Sequence, residues 1–208
     1  MTGDRLVDHK SHAPVYDRVA AHYDGAMQPL ERWFLSRLRA KTLAALPEAS
    51  RILEVGAGTG ANFPHYPREA SGTASELSGA MIEVARRKRK PDSIHLIQNS
   101  AEALPFADAS FDAAFATLVF CSVASPQTAF TELRRVVRPG GTIALLEHVR
   151  PESLLLGPVF DALNLLTVPL FDDHFNRRTA LEAERAGLKI QRIERHALGI
   201  IQIIICER

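Results

Sequence analysis

The stretch Ile52-Leu53-Glu54-Val55-Gly56-Ala57-Gly58-Thr59-Gly60 decides how this chain is read. An apolar run of strand character ends in a glycine turn. Glycine has no Cβ, so the backbone at Gly56, Gly58 and Gly60 can bend sharply and come close to a ligand. The amides after such a turn point outward and can hold a polar group. The pattern is that of a strand–turn–helix nucleotide site in a doubly wound sheet. Its spacing is G-x-G-x-G, whereas the nicotinamide fingerprint is G-x-G-x-x-G, so the third glycine comes one residue early. A tight turn between core elements would use the same residues, and the triplet alone does not separate the two.

Downstream, strands and helices alternate. Pro64 and Pro67 confine the helix after the turn. Residues 71–76 form a second short strand. Ser78 caps a helix over 78–90 with Met81, Ile82, Val84 and Ala85 apolar. The run Arg86-Arg87-Lys88-Arg89-Lys90 ends it and reads as a solvated terminus complementing the helix dipole. A third strand follows at 94–98. A fourth, at 111–118, is nearly continuously apolar and so buried on both faces. A helix over 126–137 stops at Arg138-Pro139-Gly140-Gly141, and a fifth strand spans 142–147. This alternation predicts a parallel α/β sheet. A helix over 177–186 is closed by Gly187. Strands at 188–195 and 199–206 then follow without a crossover helix, which implies an antiparallel pair. The expected fold is α/β, a doubly wound, mostly parallel seven-stranded sheet with an antiparallel last strand, plus N-terminal helices.

Upstream, residues 1–11 are polar and read as a frayed end. A helix starts at His12, with Val15, Tyr16, Val19, Ala20 and Tyr23 on one face, and is expected to break at Gly25. A second, over 29–46, has Pro29 in its first turn. It should turn Leu30, Trp33, Phe34, Leu38 and Ala45 inward and Arg32, Arg37, Arg39 and Lys41 outward. These helices either cover the sheet or form a lid that sets Tyr16 and Tyr23 over a site. The most apolar stretch, 154–171, is interrupted by Gly157, Pro158, Asp161, Asn164 and Pro169, which speaks against a membrane span. It reads as a cap helix on the sheet edge, with an apolar acceptor pocket or a bilayer-resting surface as the functional alternative. One domain is expected: a helical lid at 1–48, a core at 49–150, and an acceptor-side cap with the terminal hairpin at 151–208.

Composition sets bounds. The chain has 208 residues and a net charge of +1, which suggests no nucleic-acid partner. Cys121 and Cys206 are the only cysteines, too few for a disulfide framework and consistent with a reducing, cytoplasmic setting. No secretory signal is visible at the N-terminus, and no metal site is expected.

Four segments in order carry a resemblance: 53–60; Glu76-Leu77-Ser78 with Met81; Ser100-Ala101-Glu102-Ala103-Leu104-Pro105-Phe106 through Ser110-Phe111-Asp112; and Leu133 through Gly141. Together they resemble the class I S-adenosylmethionine-dependent methyltransferases. The chain is most similar to the group holding the quinone C-methyltransferases and the bacterial phosphatidylethanolamine N-methyltransferases. Leu146-Glu147-His148-Val149 and Arg177-Arg178-Thr179 also resemble lipid-associated thiol methyltransferases of animals.

The resemblance implies a cofactor, S-adenosylmethionine, and its residues. The amides of Gly56, Ala57, Gly58, Thr59 and Gly60, with Glu54 and Asn62 in the same set, would take the amino-acid end. Glu76 would accept from both ribose hydroxyls, as an acidic residue does in doubly wound nucleotide sites. Leu77 and Met81 would pack on adenine, and Ser100, Ala101 and Glu102 would reach its polar edge, although the family commonly has Asp where Ser100 stands. Thr117 and Leu118 would border the methionine part. Should the acceptor need to lose a proton, His148 is the first candidate base, with Tyr16 and Tyr23 on the acceptor side; Glu147, His174 and Arg177 follow, and Cys121 could line the pocket. The expected acceptor is a small lipophilic molecule, first a phospholipid amine, otherwise a quinone-precursor carbon or a small thiol, with at most weak peripheral membrane contact. The rivals are a nicotinamide oxidoreductase and a non-catalytic S-adenosylmethionine-binding module.

Overall fold

In the computed structural model, which describes residues 13–171 and 174–208, the strand-like stretches pair into one seven-stranded sheet. The strands are β1 (Arg51–Val55), β2 (Ser71–Glu76), β3 (Ile94–Gln98), β4 (Phe111–Thr117), β5 (Val137–His148), β6 (Lys189–His196) and β7 (Ile201–Glu207). Their order is β3-β2-β1-β4-β5-β7-β6. The first five are mutually parallel. β7 runs antiparallel between β5 and β6, so the expected antiparallel last strand is present.

Side chains alternate across the pleat, and that alternation builds two cores. On one face Leu53, Val55, Ala114 and Ala116 pack with Phe130 and Leu133 of α4 (Pro126–Val136) and Ala183 of α6 (Thr179–Arg185). On the other, Ile52, Ala74, Ala113 and Phe115 meet Phe63, Tyr66, Ala85 of α3 (Gly79–Arg86) and Leu43 of α2 (Ser36–Leu43). Ser78 caps α3 by accepting from Met81 N at 3.1 Å, as its sequence position implies. Cys206 is core, its thiol pushed up to about 12 by burial.

Three sequence expectations need correction. Gly25 does not break the first helix: α1 runs Ala13–Leu30 with Pro29 inside it. A glycine costs an interior helix only about 1 kcal/mol. Pro29, having no N–H, leaves the Gly25 carbonyl without its helical donor, and the chain then widens into a π-helical turn, Glu31–Leu35, before α2. Second, the face assignment fails in part. Leu30 and Trp33 are exposed, while Arg39 is buried at 6 % exposure, because Leu35, Leu38, Arg39, Thr42 and Leu43 form the inward stripe. Third, residues 154–171 do not bury their apolar face. They form α5 (Leu156–Phe171), with Leu155, Val159, Leu163 and Leu166 exposed. Its polar side does the holding. Asp161 accepts from Arg150 Nε and Nη2 (3.0 and 2.9 Å), Asn164 bonds Asn176 and the Phe175 amide, and Phe160 leans on Phe175. Among the described residues no helix is long and apolar enough to cross a membrane.

Candidate functional site

In this strand order the chain leaves β1 toward β2 on one side and β4 on the other, and ligands bind at such a switch point, beyond the strands' C-terminal ends. A cleft lies there. It is lined by Gly56, Ala57, Gly58 and Thr59 after β1, by Glu76, Leu77, Ser78 and Met81 after β2, and by Asn99, Ser100, Ala101 and Glu102 after β3. Thr117, Leu118, Val119, Ser122, Val123 and Ala124 follow from β4, and Tyr16, Tyr23 and Arg39 come from the N-terminal helices. Of the sequence candidates, Glu54, Gly60, Asn62 and His148 are not among the lining residues, nor are Glu147, His174, Arg177 and Cys121, which was expected to line the pocket.

The glycine turn has the geometry its sequence calls for. Gly56, Gly58 and Gly60 have φ of +70°, +54° and +83°, a region L side chains rarely adopt. A Cβ on Gly56 would stand 2.3 Å from Val119 Cγ2, whereas a Cβ on Gly58 would meet nothing within 4 Å. Gly56 is thus fixed by packing, and Gly58 leaves open space where a ligand can approach. Leu118 is held in the same backbone region, at φ +58°. Its amide donates to Leu146 O at 2.7 Å, and the next two amides, of Val119 and Phe120, donate to Glu147 Oε1 at 3.0 and 3.3 Å. Glu147, fully buried, therefore anchors the loop that forms one wall.

Glu76 is aimed by two backbone donors, Gly58 N on Oε2 and Ser78 N on Oε1, both at 2.8 Å. Burial raises its pKa and those two amides pull it back. Near it, α1 is latched over the cleft. Asp17 Oδ1 accepts from Ser78 Oγ and from Ala80 N. Asp24 Oδ1 accepts from Thr59 Oγ1 at 2.6 Å, and Asp24 pairs with Lys88 at 2.6 Å. These contacts hold α1 beside the cleft, which Tyr16 and Tyr23 help to line. They also put Lys88 of the basic run to structural use.

Beneath the turn is a buried polar network. Glu54 is fully buried and accepts from Asn62 Nδ2 at 2.6 Å and from the Tyr66 hydroxyl. Burial pushes its pKa up to about 7 against the lowering effect of these donors and of Arg39. Arg39 Nε donates to Glu31 at 3.0 Å, and Nη1 donates to Asn62 Oδ1 at 3.1 Å and to Thr117 Oγ1. Glu54 and Asn62 thus form the floor below the lining. His148 is 9 % exposed and stacks on Phe175 with ring centres 4.4 Å apart, set back from the cleft. Glu102 accepts from Ser125 N at 2.8 Å, and Ser100 Oγ accepts from Glu102 N, so both help to shape the third loop.

Two residues escaped the sequence reading. Arg39 was placed on the outward face. Asn99 was passed over in favour of its neighbours, yet both of its amide atoms are buried without a hydrogen-bond partner among the described residues, and it lines the cleft. An orphaned amide is costly unless a ligand satisfies it.

The donor set fits S-adenosylmethionine. The open space at Gly58 suits the approach of its amino-acid end; the turn amides expected to receive that end need correction, because those of Ala57, Gly58 and Gly60 already donate to Ser75 O, Glu76 Oε2 and Ala57 O. An oriented carboxylate at Glu76 suits a ribose diol, apolar Leu77 and Met81 suit a purine face, and the Asn99 amide suits its polar edge. No group of His, Cys, Asp or Glu that could hold a metal ion occurs among the described residues.

Comparison with known proteins agrees. Residues 53–145 match the family model described as a methyltransferase domain. The ubiquinone/menaquinone biosynthesis C-methyltransferase UbiE of Syntrophotalea carbinolica is 34% identical, over 75% of this chain and 69% of its own. The demethylmenaquinone methyltransferase of Renibacterium salmoninarum is 37% identical over 67% of this chain, a match spanning only 59% of that relative's length. In structure, an S-adenosylmethionine-dependent methyltransferase of Thermotoga maritima superposes with a TM-score of 0.71 at 24% identity, covering 95% of this chain and 99% of that one. The cyclase SpnF shares the fold as well, with a TM-score of 0.72 at 16% identity over 94% of each chain.

Proposed function

The chain belongs to the class I S-adenosylmethionine-dependent methyltransferases, and from that premise we propose that it methylates a nucleophilic carbon of a lipophilic aromatic acceptor of the quinone-precursor class. The observation that carries this reading is the likeness to quinone C-methyltransferases, 34% identity over most of both chains in one case. It replaces the phospholipid amine expected first from the sequence.

The chain's residues divide the work. Glu76, Asn99 and the glycine turn hold and orient the cofactor; Thr117 and Leu118 border its methionine part. The group supplies, when bound, an electrophilic methyl whose bonding pair stays on sulfur as the acceptor carbon takes the methyl and gives up a proton. Orientation alone is worth about 7–11 kcal/mol in favourable intramolecular cases. The apolar wall of Val119, Val123 and Ala124 faces Tyr16 and Tyr23 of the lid, a chamber suited to a flat ring. Tyr16 and Tyr23 are the acceptor-side residues of this reading, supported by their place in the cleft lining. His148, set back against Phe175, would reach an acceptor proton only through an intervening group.

The outward aliphatic face of α5 supports a lipophilic acceptor met at a bilayer surface. Its leucines suit the headgroup boundary, while Arg150 and Asn176 hold the polar side to the body. The test is methyl-labelled S-adenosylmethionine offered with a reduced demethylmenaquinone analogue, phosphatidylethanolamine vesicles or a small aromatic thiol, with products identified by mass spectrometry. Label on the ring carbon is the expected result. Label on nitrogen or sulfur alone would overturn the acceptor assignment.

A further inference from the structure

From the N-terminal helical segment, Arg39 of α2 reaches into the polar network at the floor of the cleft. We infer that Arg39 is a positioning residue, which together with Asn62 fills both acceptor positions of the Thr117 hydroxyl and so leaves Thr117 able only to donate, toward the carboxylate of the cofactor's methionine part. The inference rests on the methyltransferase reading and deepens it.

The argument is one of hydrogen-bond arithmetic. A threonine hydroxyl has one donor and two acceptor lone pairs. Arg39 Nη1 and Asn62 Nδ2 both donate to Thr117 Oγ1, the second at 2.8 Å. With both lone pairs taken, the hydroxyl proton can serve only a further acceptor. Thr117 is 5 % exposed and lines the cleft, so the cleft is where a ligand acceptor can meet it.

Arg39 fixes Asn62 by the same logic. Asn62 Oδ1 accepts from Arg39, which leaves its NH₂ for Thr117 and for Glu54 Oε1. Turning the amide over would set NH₂ against a guanidinium and carbonyl oxygen against a carboxylate. Arg39 is itself held in register by Glu31, which accepts from Nε at 3.0 and 3.1 Å and from Nη2 at 2.6 Å. A planar fork is needed to serve Glu31 on one edge and the Asn62–Thr117 pair on the other, and lysine cannot do so. Glu31 lies in the π-helical turn, whose widened backbone thus carries the clamp on the guanidinium.

A purely structural role would not reproduce the pH signature. The charged and titratable groups around Glu54 are Tyr66 from the turn after β1, Arg39 from α2 and Glu76 from β2; Glu31 and His65 lie beyond Arg39. Of these only Arg39 favours the Glu54 carboxylate by charge. The cationic cofactor is better received over an ionised Glu54.

The experiment is calorimetric binding of S-adenosylmethionine and S-adenosylhomocysteine between pH 6 and 8.5 (a range set by the ~7 midpoint of a carboxyl shifted by burial), with thermal melts alongside. Arg39→Met should bind both ligands at least roughly tenfold more weakly, with the pH midpoint moved up by about one unit. Arg39→Lys should restore the midpoint and leave the affinity low. Thr117→Val, which keeps Arg39 and its shape, should lose a comparable part of the affinity with the midpoint unmoved. If Arg39→Met fails to fold, the Thr117→Val and Arg39→Lys pair still decides. Wild-type affinity in Thr117→Val, or a folded Arg39→Met with unchanged affinity and midpoint, overturns the inference. Absence of cofactor binding by the wild-type chain would instead overturn the methyltransferase reading.

Discussion

Replacing Glu76 with alanine tests the cofactor assignment most directly. In the structure both carboxylate oxygens accept from backbone amides, Gly58 N and Ser78 N, each at 2.8 Å. Those amides spend one lone pair per oxygen and leave the others for a ribose diol. A hydrogen bond to a charged group contributes about 1.5–3 kcal/mol. Truncation removes two from the ligand, but water can enter the gap, because the side chain is only partly buried. A net loss of about 2–3 kcal/mol is expected, or roughly a 30- to 150-fold weaker Kd. Glutamine is not a benign control: its NH₂ would have to face one of the two backbone N–H donors, so Glu76→Gln should lose affinity nearly as far. Acidification should also weaken binding, since the raised Glu76 pKa means the carboxylate is lost as pH falls through its range. Titration calorimetry with S-adenosylhomocysteine, on variants whose melting is close to wild type, gives the answer. A folded Glu76→Ala protein that binds as well as the wild type would refute the ribose assignment.

Three further outcomes are expected. Gly58→Val should abolish cofactor binding because the added side chain enters open space in the cleft, at a stability cost of about 1–3 kcal/mol from its φ of +54°; Gly56→Ala carries the same kind of backbone strain and also presses on Val119, so thermal melts paired with calorimetry should show a stability loss in both and the direct block of binding in Gly58→Val. Glu54 has a folded pKa raised to about 7, so the folded state holds the extra proton above the unfolded value, and stability contributed by that proton is lost as pH rises from about 4.5 to 7. The loss should reach roughly 3 kcal/mol, and in Glu54→Gln, where Tyr66 can turn to accept, denaturant melts should show it removed; a parallel pH profile in both proteins would contradict the argument. His148→Ala should lower stability by about 0.5–1.5 kcal/mol through the lost ring stack on Phe175 and leave the pH–rate profile in place; a flattened acid limb would instead make His148 the base.

Much of the fold was legible because its signals are local. The alternation of apolar runs with capped helices gave five parallel strands, and Gly187, with φ +84°, closed α6 as read. What was illegible depended on partners distant in sequence. Arg39 looked like one of four basic residues on a polar face. Only its spacing from Leu35, Leu38, Thr42 and Leu43 marks it as inward, and the guanidinium's partners lie at positions 62 and 117. Asp17 and Asp24 carried no signal at all until Ser78 and Thr59 came beside them. The stretch 154–171 was read as a cap helix packed on the sheet edge because burial is the usual fate of so apolar a run, but a helix can be fastened by its polar side, as Asp161 and Asn164 do here.

The place of β7 has a bearing on how the chain is made. It follows all the other strands in sequence yet lies inside the sheet, between β5 and β6. During synthesis β5 therefore waits with one edge unpaired, and Leu145 and Leu146 await their partners Ile204 and Ile203. An apolar edge of this kind recruits other strands, and pairings distant in sequence are slow to form. The newborn protein thus passes through a period in which self-association competes with completion, and β7 ends that period as it slots into place.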